Sequence, residues 1–341
     1  MKALVKDKAE VGLKLKDVDI PKIKADEVLI KVKATAICGT DIHIWNWDVW
    51  ASKTIKPPMT VGHEFMGEIV EIGSSVKNLS LGDRVSAESH IVGSTSRNAR
   101  SGKLHLDPDT INVGVNRDGA FAEFLCVPSR NVIKLPGSVD NEMGAILDPY
   151  GNAVHAALSF DLVGEDVLIT GAGPIGIMSA AIALHVGARK VLITDINDER
   201  LSLAKSVCDV ETMNPSEENL KEKMKHMGLK EGFDIGLEMS GSESALDQMI
   251  DSMLMGGKVA LLGLPSDSIN LDLPKLIFKA LTLKAIYGRE MFETWYKGLA
   301  LIESGLDVTN VITHSFHFTE YEKAFELLNS GKAGKVVLNW D

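Results

Sequence analysis

The feature that most constrains the fold is a glycine-rich turn between an apolar run and an alanine-rich segment, within residues 166–186. Val167–Ile169 is short and rich in β-branched side chains, which is typical of a buried parallel strand. The next residues include the sequence G-A-G-P-I-G, and Ile177–Val186 has the composition of a helix. Strand, glycine turn and helix in this order predict a dinucleotide-binding unit whose helix N-terminus faces the pyrophosphate.

Three glycines and one acidic residue have separate roles in this unit. Gly171 permits the tight turn, Gly173 lets the backbone approach a pyrophosphate, and Gly176 allows helix and strand to pack closely. A second predicted strand, Lys190–Thr194, ends at Asp195, where an acid would meet the ribose 2′-hydroxyl of the cofactor. Because an acid repels a 2′-phosphate, we predict NAD as the cofactor rather than NADP.

Two other interpretations of this unit are open from the sequence. Arg200 follows Asp195 closely, and an arginine there would serve NADP or stack on the adenine. An ordinary α/β turn followed by a surface aspartate would also explain the glycines. The position of Asp195 favours the cofactor site.

Length and composition exclude several other classes of protein. A chain of 341 residues with 45% hydrophobic residues is long enough for two domains with separate cores. A net charge of -11 argues against a nucleic-acid-binding surface, and no apolar window is long enough to span a bilayer. The N-terminus lacks the pattern of a secretory signal, and three cysteines make a disulfide framework improbable. We therefore expect a cytoplasmic protein that binds neither nucleic acid nor membrane.

The chain changes character near residue 150. Before it, short β-rich runs are separated by Gly, Pro and Asp, which predicts an irregular antiparallel barrel. From Glu165, regular alternation of strands and helices predicts an α/β fold with a Rossmann doubly wound parallel sheet. We assign residues 1–150 to a catalytic domain, 151–290 to the NAD-binding domain and 291–341 to a return segment that completes the first domain. In the later residues we predict a turn at Gly256-Gly257, an edge strand at Thr282–Ile286, helices at Phe292–Ser304 and Thr319–Asn329, and a final strand at Lys335–Asn339.

Two polar clusters in the first domain contain side chains that a barrel does not need. Cys38, His63 and Glu64 offer a thiolate, an imidazole and a carboxylate, which together are a plausible zinc-binding set. The two anionic donors would offset the charge of the metal, which would still act as a Lewis acid. Thr40 and His43 lie just beyond the cysteine, where a hydroxyl and an imidazole can carry a proton to solvent. Taken singly, a buried structural cysteine and a core histidine are the simpler interpretation.

The two clusters resemble the zinc-dependent medium-chain alcohol dehydrogenases. The pattern Gly62-His63-Glu64-x-x-Gly67-x5-Gly73-x-x-Val76 is similar to the zinc signature of that family, and the glycine-rich domain follows where the family places it. Three further stretches are similar to family members that act on L-threonine: Thr35–His43, Asp148–His155 and Tyr287–Tyr296, the last being the most specific.

The resemblance implies a role for each candidate residue. Cys38, His63 and Glu64 would bind one catalytic zinc, and Thr40 and His43 would form the proton relay. Asp148 would act near the metal without being a permanent ligand, although an aspartate before a proline is also common as a helix N-cap or turn residue. The implied fold is a GroES-like β-barrel with a Rossmann domain, and the implied assembly is a homotetramer. The implied cofactor-binding residues are Gly171, Gly173, Ile175, Gly176, Asp195, Arg200, Leu262, Gly263, Leu264, Ile286 and Tyr287.

One segment departs from the pattern of the family. Most members carry four cysteines that hold a structural zinc, and the matching positions here are Gly93, Ser96, Ala99 and Asp107. Glycine and alanine have no ligating side chain, and a neutral serine is a poor zinc ligand. We therefore predict that structural zinc is absent and that residues 92–107, called the lobe below, form a polar metal-free loop.

The resemblance implies NAD-dependent oxidation of L-threonine at C3 to L-2-amino-3-oxobutanoate. Threonine needs charged partners for its ammonium and carboxylate, for which Asp148, Glu88 and Arg289 are candidates. A surface ion pair of Arg289 with Glu290 or Glu293 is the other interpretation of that arginine. A first alternative function is a polyol or 2,3-butanediol dehydrogenase of the same family, whose substrate needs only hydroxyl partners. A second is a non-catalytic nucleotide-binding protein, against which the intact set of metal and relay residues argues.

Overall fold

The secondary structure comprises eighteen strands and twelve helices, and the computed structural model describes all 341 residues. No helix is long and apolar enough to cross a bilayer. The strands are β1 Lys2–Lys6, β2 Lys14–Asp17, β3 Glu27–Ala36, β4 Met59–Thr60, β5 Glu64–Ile72, β6 Arg84–Ala87, β7 His90–Ile91, β8 Ile111–Asn112, β9 Phe124–Pro128, β10 Val132–Lys134, β11 Asp166–Thr170, β12 Lys190–Thr194, β13 Glu211–Met213, β14 Phe233–Glu238, β15 Met253–Leu261, β16 Thr282–Ala285, β17 Ile312–His317 and β18 Lys335–Asn339. The helices are α1 Gly39–Asn46, α2 Val49–Thr54, α3 Arg97–Arg100, α4 Asn141–Ala145, α5 Leu147–Ala157, α6 Pro174–His185, α7 Asp198–Val207, α8 Leu220–His226, α9 Glu243–Ser252, α10 Leu273–Phe278, α11 Glu293–Glu303 and α12 Tyr321–Asn329.

These elements divide into two units. Unit 1 contains Met1–Pro149, Glu290–Leu299 and Ile312–Asp341, and unit 2 contains Tyr150–Arg289 and Ala300–Val311. The segment after residue 290 is therefore shared between the two units.

Unit 1 is built on a seven-stranded sheet in the order β10-β6-β5-β3-β18-β17, with β9 also paired to β3. Strand β3 is ten residues long and mostly buried, and it pairs antiparallel with β5, β9 and β18. Smaller sheets, β2-β1-β4 and β7-β8, complete the unit. The return segment contributes to the core, because the Phe325 ring stacks on Trp45 with centroids 4.6 Å apart. The predicted antiparallel character is confirmed, while β17, which pairs parallel to β18, was not predicted.

Unit 2 contains one six-stranded sheet in the order β13-β12-β11-β14-β15-β16, and every pair in it is parallel. This order reverses direction between β11 and β14, as in dinucleotide-binding sheets, whose ligands bind beyond the carboxyl ends of the strands at that point. All five residues of β11 are buried, which explains its continuous apolar sequence. The predicted doubly wound sheet is confirmed.

The predicted turn at Gly256-Gly257 is wrong. Strand β15 already begins at Met253, and its pairing with β14 shifts register between the pairs Phe233–Met253 and Ile235–Lys258. The two glycines lie in this irregularity, and Gly256 has a φ of 82°, which glycine adopts without strain. In the sequence, two glycines that form a bulge inside a strand cannot be told from two glycines that form a turn before a strand.

The lobe, residues 92–107, contains more regular structure than the predicted loop. Helix α3 is capped by Ser96, whose Oγ accepts a hydrogen bond from the Ala99 amide at 3.1 Å. The Asn98 side chain donates to the Leu106 carbonyl at 2.8 Å, which ties the helix to a 3₁₀ turn at Leu104–Leu106. These hydrogen bonds order the segment locally.

Candidate metal and dinucleotide sites

Strand pairing in unit 1 brings the three predicted metal ligands together. Cys38 follows β3 and stands at the N-terminus of α1, while His63 precedes β5 and Glu64 begins it. Because Ala36 of β3 pairs with Glu64 of β5, the two chain segments meet at the site. The ligating atoms of Cys38, His63 and Glu64 all lie within 4.8 Å of one another.

A glycine allows the chain to enter β5 at this point. Gly62 has a φ of 91°, and a Cβ placed on it would lie 2.1 Å from the Phe121 ring. Only glycine fits this combination of backbone conformation and close packing. The Gly-His-Glu sequence therefore has a structural reason for its first residue as well as a chemical one for the other two.

The donor set has the properties of a zinc site. Glu64 Oε1 and His63 Nδ1 are buried and have no hydrogen-bond partner within the chain. Burial lowers the pKa of His63, but the anionic neighbours Cys38 and Asp41 raise it to about 10 overall. The pKa of Glu64 is also raised, and burial of its carboxyl group is the main cause. A dication bound by sulfur, nitrogen and oxygen would compensate this concentration of negative charge.

Asp41 is a site residue that the sequence reasoning missed. It is fully buried, its Oδ2 accepts a hydrogen bond from the Cys38 amide at 2.9 Å, and its Oδ1 lies 3.9 Å from His63 Nδ1. At this separation the Asp41 carboxylate acts on His63 through its charge, which helps to raise the pKa of the imidazole. Its position three residues after Cys38, in the first turn of a helix, was the available signal.

Lys335 is the second residue that was missed. Its side chain is 6% exposed, and its Nζ lies 2.5 Å from Glu64 Oε2 and 2.9 Å from the Ile37 carbonyl oxygen. Burial lowers the pKa of Lys335, but Glu64 and Cys38 outweigh it and raise that pKa. The lysine thus holds one oxygen of Glu64 and leaves the other free. A lysine at the start of the apolar strand K-V-V-L was the only sequence signal.

The two predicted relay residues share one face of α1. Thr40 and His43 are three residues apart in this helix, so their side chains are neighbours on its surface. Thr40 Oγ1 lies 3.8 Å from Cys38 Sγ, whereas the His43 side chain is 59% exposed. His43 Nδ1 lies 2.5 Å from Asp48 Oδ2, which orients the ring. The pair therefore extends from the metal ligands to solvent.

Asp148 lies near the three ligands without joining them. It is in the first turn of α5, 5% exposed, and accepts a hydrogen bond from Ser89 Oγ at 3.0 Å. Its charge contributes to the raised pKa values of His63 and Glu64. Because α5 begins at Leu147, Asp148 lies inside the helix, and the N-cap interpretation is wrong.

The other two candidate substrate partners are engaged or buried. Glu88 is fully buried, and its carboxylate accepts hydrogen bonds from Trp295 Nε1 at 2.8 Å and from the His90 amide at 3.0 Å. Arg289 is 2% exposed, so it does not lie at the surface, as the ion-pair interpretation assumed. Its aliphatic stem packs on Gly151, where an added Cβ would lie 2.7 Å from Arg289 Cδ.

Unit 2 holds a cavity of about 310 Å³ at the carboxyl end of its sheet, lined among others by Gly171, Gly173, Asp195 and Arg200. The Asp195 carboxylate accepts hydrogen bonds from the Ala172 amide at 2.8 Å and the Asn197 amide at 2.9 Å. Arg200 Nη1 lies 3.8 Å from Asp195 Oδ2. The predicted acid therefore stands beside the glycine turn.

The glycine turn has the predicted close packing. Gly171 has a φ of 94°, and a Cβ on Gly176 would lie 2.0 Å from the Gly171 carbonyl oxygen. The remaining predicted cofactor positions do not line this cavity. Ile175 is in the first turn of α6, Leu262–Leu264 follows β15, and Ile286 with Tyr287 follows β16.

Two family models match the chain: the alcohol dehydrogenase GroES-like domain over residues 24–137 and the zinc-binding dehydrogenase over residues 174–304. The chain is also 58% identical to L-threonine 3-dehydrogenase of Ruegeria pomeroyi, with 100% of both chains covered. The chain belongs to the zinc-dependent medium-chain alcohol dehydrogenases. The resemblance found in the sequence is confirmed, and the chain is a nicotinamide- and zinc-dependent oxidoreductase.

Solved structures of the family have the same fold. Galactitol-1-phosphate dehydrogenase of Escherichia coli is 28% identical with a TM-score of 0.91, and 100% of both chains is covered. An alcohol dehydrogenase of E. coli CFT073, solved in complex with NADH, is 25% identical with a TM-score of 0.91, covering 100% of this chain and 99% of its own.

We expect Lys335→Met to lower the free energy of unfolding by about 3–5 kcal/mol, because Glu64 would keep a buried charge without its cation. Urea unfolding of the metal-free protein measures the loss. Lys335→Arg keeps a cation and should retain more of the stability. The double variant Lys335→Met, Glu64→Leu removes both charges and should be more stable than Lys335→Met alone. Equal stability of Lys335→Met and the unmodified protein would contradict this account of the pair.

Proposed function

We propose that this enzyme oxidises L-threonine at C3 to L-2-amino-3-oxobutanoate, with transfer of a hydride to NAD. The observation that carries the proposal is the convergence of Cys38, His63 and Glu64 beside the relay residue Thr40, in a chain 58% identical over its full length to an L-threonine 3-dehydrogenase. The 2,3-butanediol dehydrogenase among the similar structures is 25% identical, so the diol alternative has weaker support.

Cys38, His63 and Glu64 hold the catalytic metal in this proposal. When bound, zinc supplies a Lewis acid that lowers the pKa of the substrate hydroxyl, and NAD accepts the hydride. Asp41 adds a buried negative charge beside His63, and Lys335 restricts Glu64 to a single free oxygen. The protein thereby presents three donors from two adjoining segments.

Thr40 and His43 carry the proton that the substrate hydroxyl loses. The Thr40 hydroxyl accepts it and donates its own proton toward His43, whose exposed ring passes it to solvent. Asp48 holds Nδ1 of His43, so that Nε2 remains for the transfer. Asp148, buried and hydrogen-bonded to Ser89, adds a negative charge that favours the protonated form of its neighbours.

Asp195 selects NAD over NADP in this proposal. Its carboxylate is fixed by two backbone amides at the mouth of the glycine turn, where it would accept a hydrogen bond from the ribose 2′-hydroxyl. A 2′-phosphate would meet this fixed negative charge. Arg200 lies close enough to Asp195 to balance part of that charge and is free to stack on the adenine.

NADH formation tests the reaction, the substrate and the metal together. We expect turnover on L-threonine to exceed turnover on D-threonine, L-serine, 2,3-butanediol and sorbitol, and to stop when a zinc chelator is added. Cys38→Ser should lower kcat/KM by about 100-fold or more, because loss of the Lewis acid removes several kcal/mol of transition-state stabilisation. Preference for a diol would refute the substrate, and full activity of Cys38→Ser would refute the metal site.

We also propose one zinc per chain, without a structural zinc in the lobe. Among the lobe positions that carry cysteine elsewhere in the family, only Asp107 has a good ligand, and its Oδ2 faces Gly93 at 3.2 Å from where a Cβ would stand. The hydrogen bonds of Ser96 and Asn98 hold the segment instead.

The zinc content of the purified protein, measured by atomic absorption, should therefore be close to one equivalent per chain. Cys38→Ser should reduce it to well below one, whereas Asp107→Asn should leave it unchanged. Two equivalents in the unmodified protein, or loss of zinc in Asp107→Asn, would show that the lobe binds metal.

The assembly that we propose is a homotetramer in the cytoplasm, in which strand β16 pairs across a two-fold axis. β16 is the edge of its sheet, and most of its residues are exposed. Ile277 and Phe278 of the neighbouring α10 are 66% and 79% exposed, which suits an interface between copies. The three cysteines are unpaired, which agrees with a reducing compartment.

Light scattering after size exclusion should give a mass near four times the 36.9-kDa chain. Replacement of both Ile277 and Phe278 by Asp should lower that mass, because a charge buried at an interface is costly. Replacement of Leu81 by Asp, which is exposed in unit 1, is the control and should leave the mass unchanged. A monomeric unmodified protein would contradict the proposal.

A further inference from the structure

Glu238 is a buried carboxylate that the function described above does not use. It is the last residue of β14, at the point where the strand order reverses, and only 3% of its surface is exposed. It forms no ion pair with a lysine or arginine. Burying a carboxylate without a cation costs free energy unless several hydrogen-bond donors satisfy it. The donors around Glu238 therefore show which parts of the chain it holds together.

Four donors converge on one oxygen of this carboxylate. Glu238 Oε1 accepts hydrogen bonds from the Ser240 amide at 2.8 Å, the Gly241 amide at 3.0 Å and Thr170 Oγ1 at 3.4 Å, and also from the Ser240 hydroxyl. Thr170 ends β11, immediately before the glycine turn. The side chain thereby fixes the loop after its own strand to the end of the neighbouring one.

The backbone of Glu238 holds a third loop. Its carbonyl oxygen accepts hydrogen bonds from the Leu262 amide at 2.9 Å and the Gly263 amide at 3.0 Å, which follow β15. One residue is therefore bonded to the ends of three adjacent strands. Two of these three loops contain proposed cofactor-binding residues, and Ser240 lines the cavity beside the glycine turn.

The loops around Glu238 pack too closely to move independently. A Cβ on Gly263 would lie 2.2 Å from the Gly241 nitrogen and 2.7 Å from Glu238 Oε2, and one on Gly171 would lie 2.9 Å from the Ser240 nitrogen. Each of the three loops contributes one of these glycines. Small residues allow the loops to close around the carboxylate, and the carboxylate sets the position at which they close.

The hydrogen bonds also orient two peptide groups. Because the peptide unit is planar and trans, amides that point at Glu238 turn their carbonyl groups, those of Met239 and Ser240, away from it. Met239 and Ser240 both line the cavity. The surface offered to a bound dinucleotide at these residues therefore depends on the buried carboxylate behind it.

We propose that Glu238 is a positioning residue for the dinucleotide. Its carboxylate fixes the end of β11 and the loop after β14 in the arrangement that binds the cofactor, and its backbone carbonyl holds the loop after β15 beside them. This inference rests on the proposed nicotinamide-dependent function and adds a residue that acts through its neighbours.

The test is the Kd for NADH of the zinc-loaded enzyme, measured by the fluorescence of the bound nicotinamide at a temperature where every variant is folded. Glu238→Leu leaves the amides without an acceptor, and we expect the Kd to rise by about 10-fold or more. Glu238→Gln keeps an acceptor oxygen without its charge, and we expect a smaller rise, of about 3-fold, since charge-assisted bonds are the stronger ones. The KM for NAD should rise in proportion, while the KM for L-threonine stays unchanged.

Asp166→Asn is the matched control. Asp166 is also a buried acid, at the opposite end of β11, where it pairs with Arg189. Removal of the Asp166 charge should lower the melting temperature and leave the Kd for NADH unchanged. The control thereby distinguishes an effect on cofactor positioning from a general loss of stability. If Glu238→Leu does not fold, the test rests on Glu238→Gln. A Kd for NADH that is unchanged in Glu238→Gln would then overturn the inference. Failure of the unmodified enzyme to bind NADH would instead refute the proposed function, and the inference with it.

Discussion

The buried ion pair between Lys335 and Glu64 connects the last strand of the chain to the candidate metal centre. Strand β18 lies beside β3, and β3 lies beside β5, so one lysine reaches both Glu64 and the carbonyl of Ile37. Without this cation, the buried carboxyl groups of Glu64 and Asp41 would lie close together with no positive charge from a lysine to offset them. The ion pair offsets part of the negative charge of these groups and leaves one carboxylate oxygen of Glu64 for a metal to bind.

In unit 2, a buried carboxylate is stabilised in a different way. Glu238 forms no ion pair with a cation and is satisfied by donors from the loop after its own strand and from Thr170 at the end of β11. A lysine would neutralise the charge from one point, whereas several donors tie the carboxylate both to the loop after β14 and to the end of β11. The first arrangement suits a site that will receive a dication, because charge must be balanced there. The second suits a surface whose shape must be fixed, because each donor restrains the backbone that carries it.

The sequence predicted best what depends on neighbouring residues. The glycine turn, its acid and the strand bounds Lys190–Thr194 and Lys335–Asn339 follow from local spacing, and the structure has the same bounds. Lys335, in contrast, was missed because its role depends on a partner that is distant in the sequence. Lys335 meets Glu64 across 271 positions, and nothing near either residue records the pairing. The strand β17 was missed because its residues are mostly exposed and form no alternating pattern. Asp41 was missed for another reason: a capping residue and a partner of a metal ligand have the same sequence signature.

The lobe is locally ordered although it lacks the four cysteines that most family members carry at these positions. A structural zinc contributes on the order of 10 kcal/mol or more to the folding of a small site, while a single hydrogen bond contributes about 1 kcal/mol. The few bonds of Ser96 and Asn98 cannot equal a metal site in strength. Val92 and Ala99 are also buried, so packing adds to the order that these hydrogen bonds give the segment. Local hydrogen bonds and packing thus order the lobe without any contribution from the candidate metal site at Cys38, His63 and Glu64.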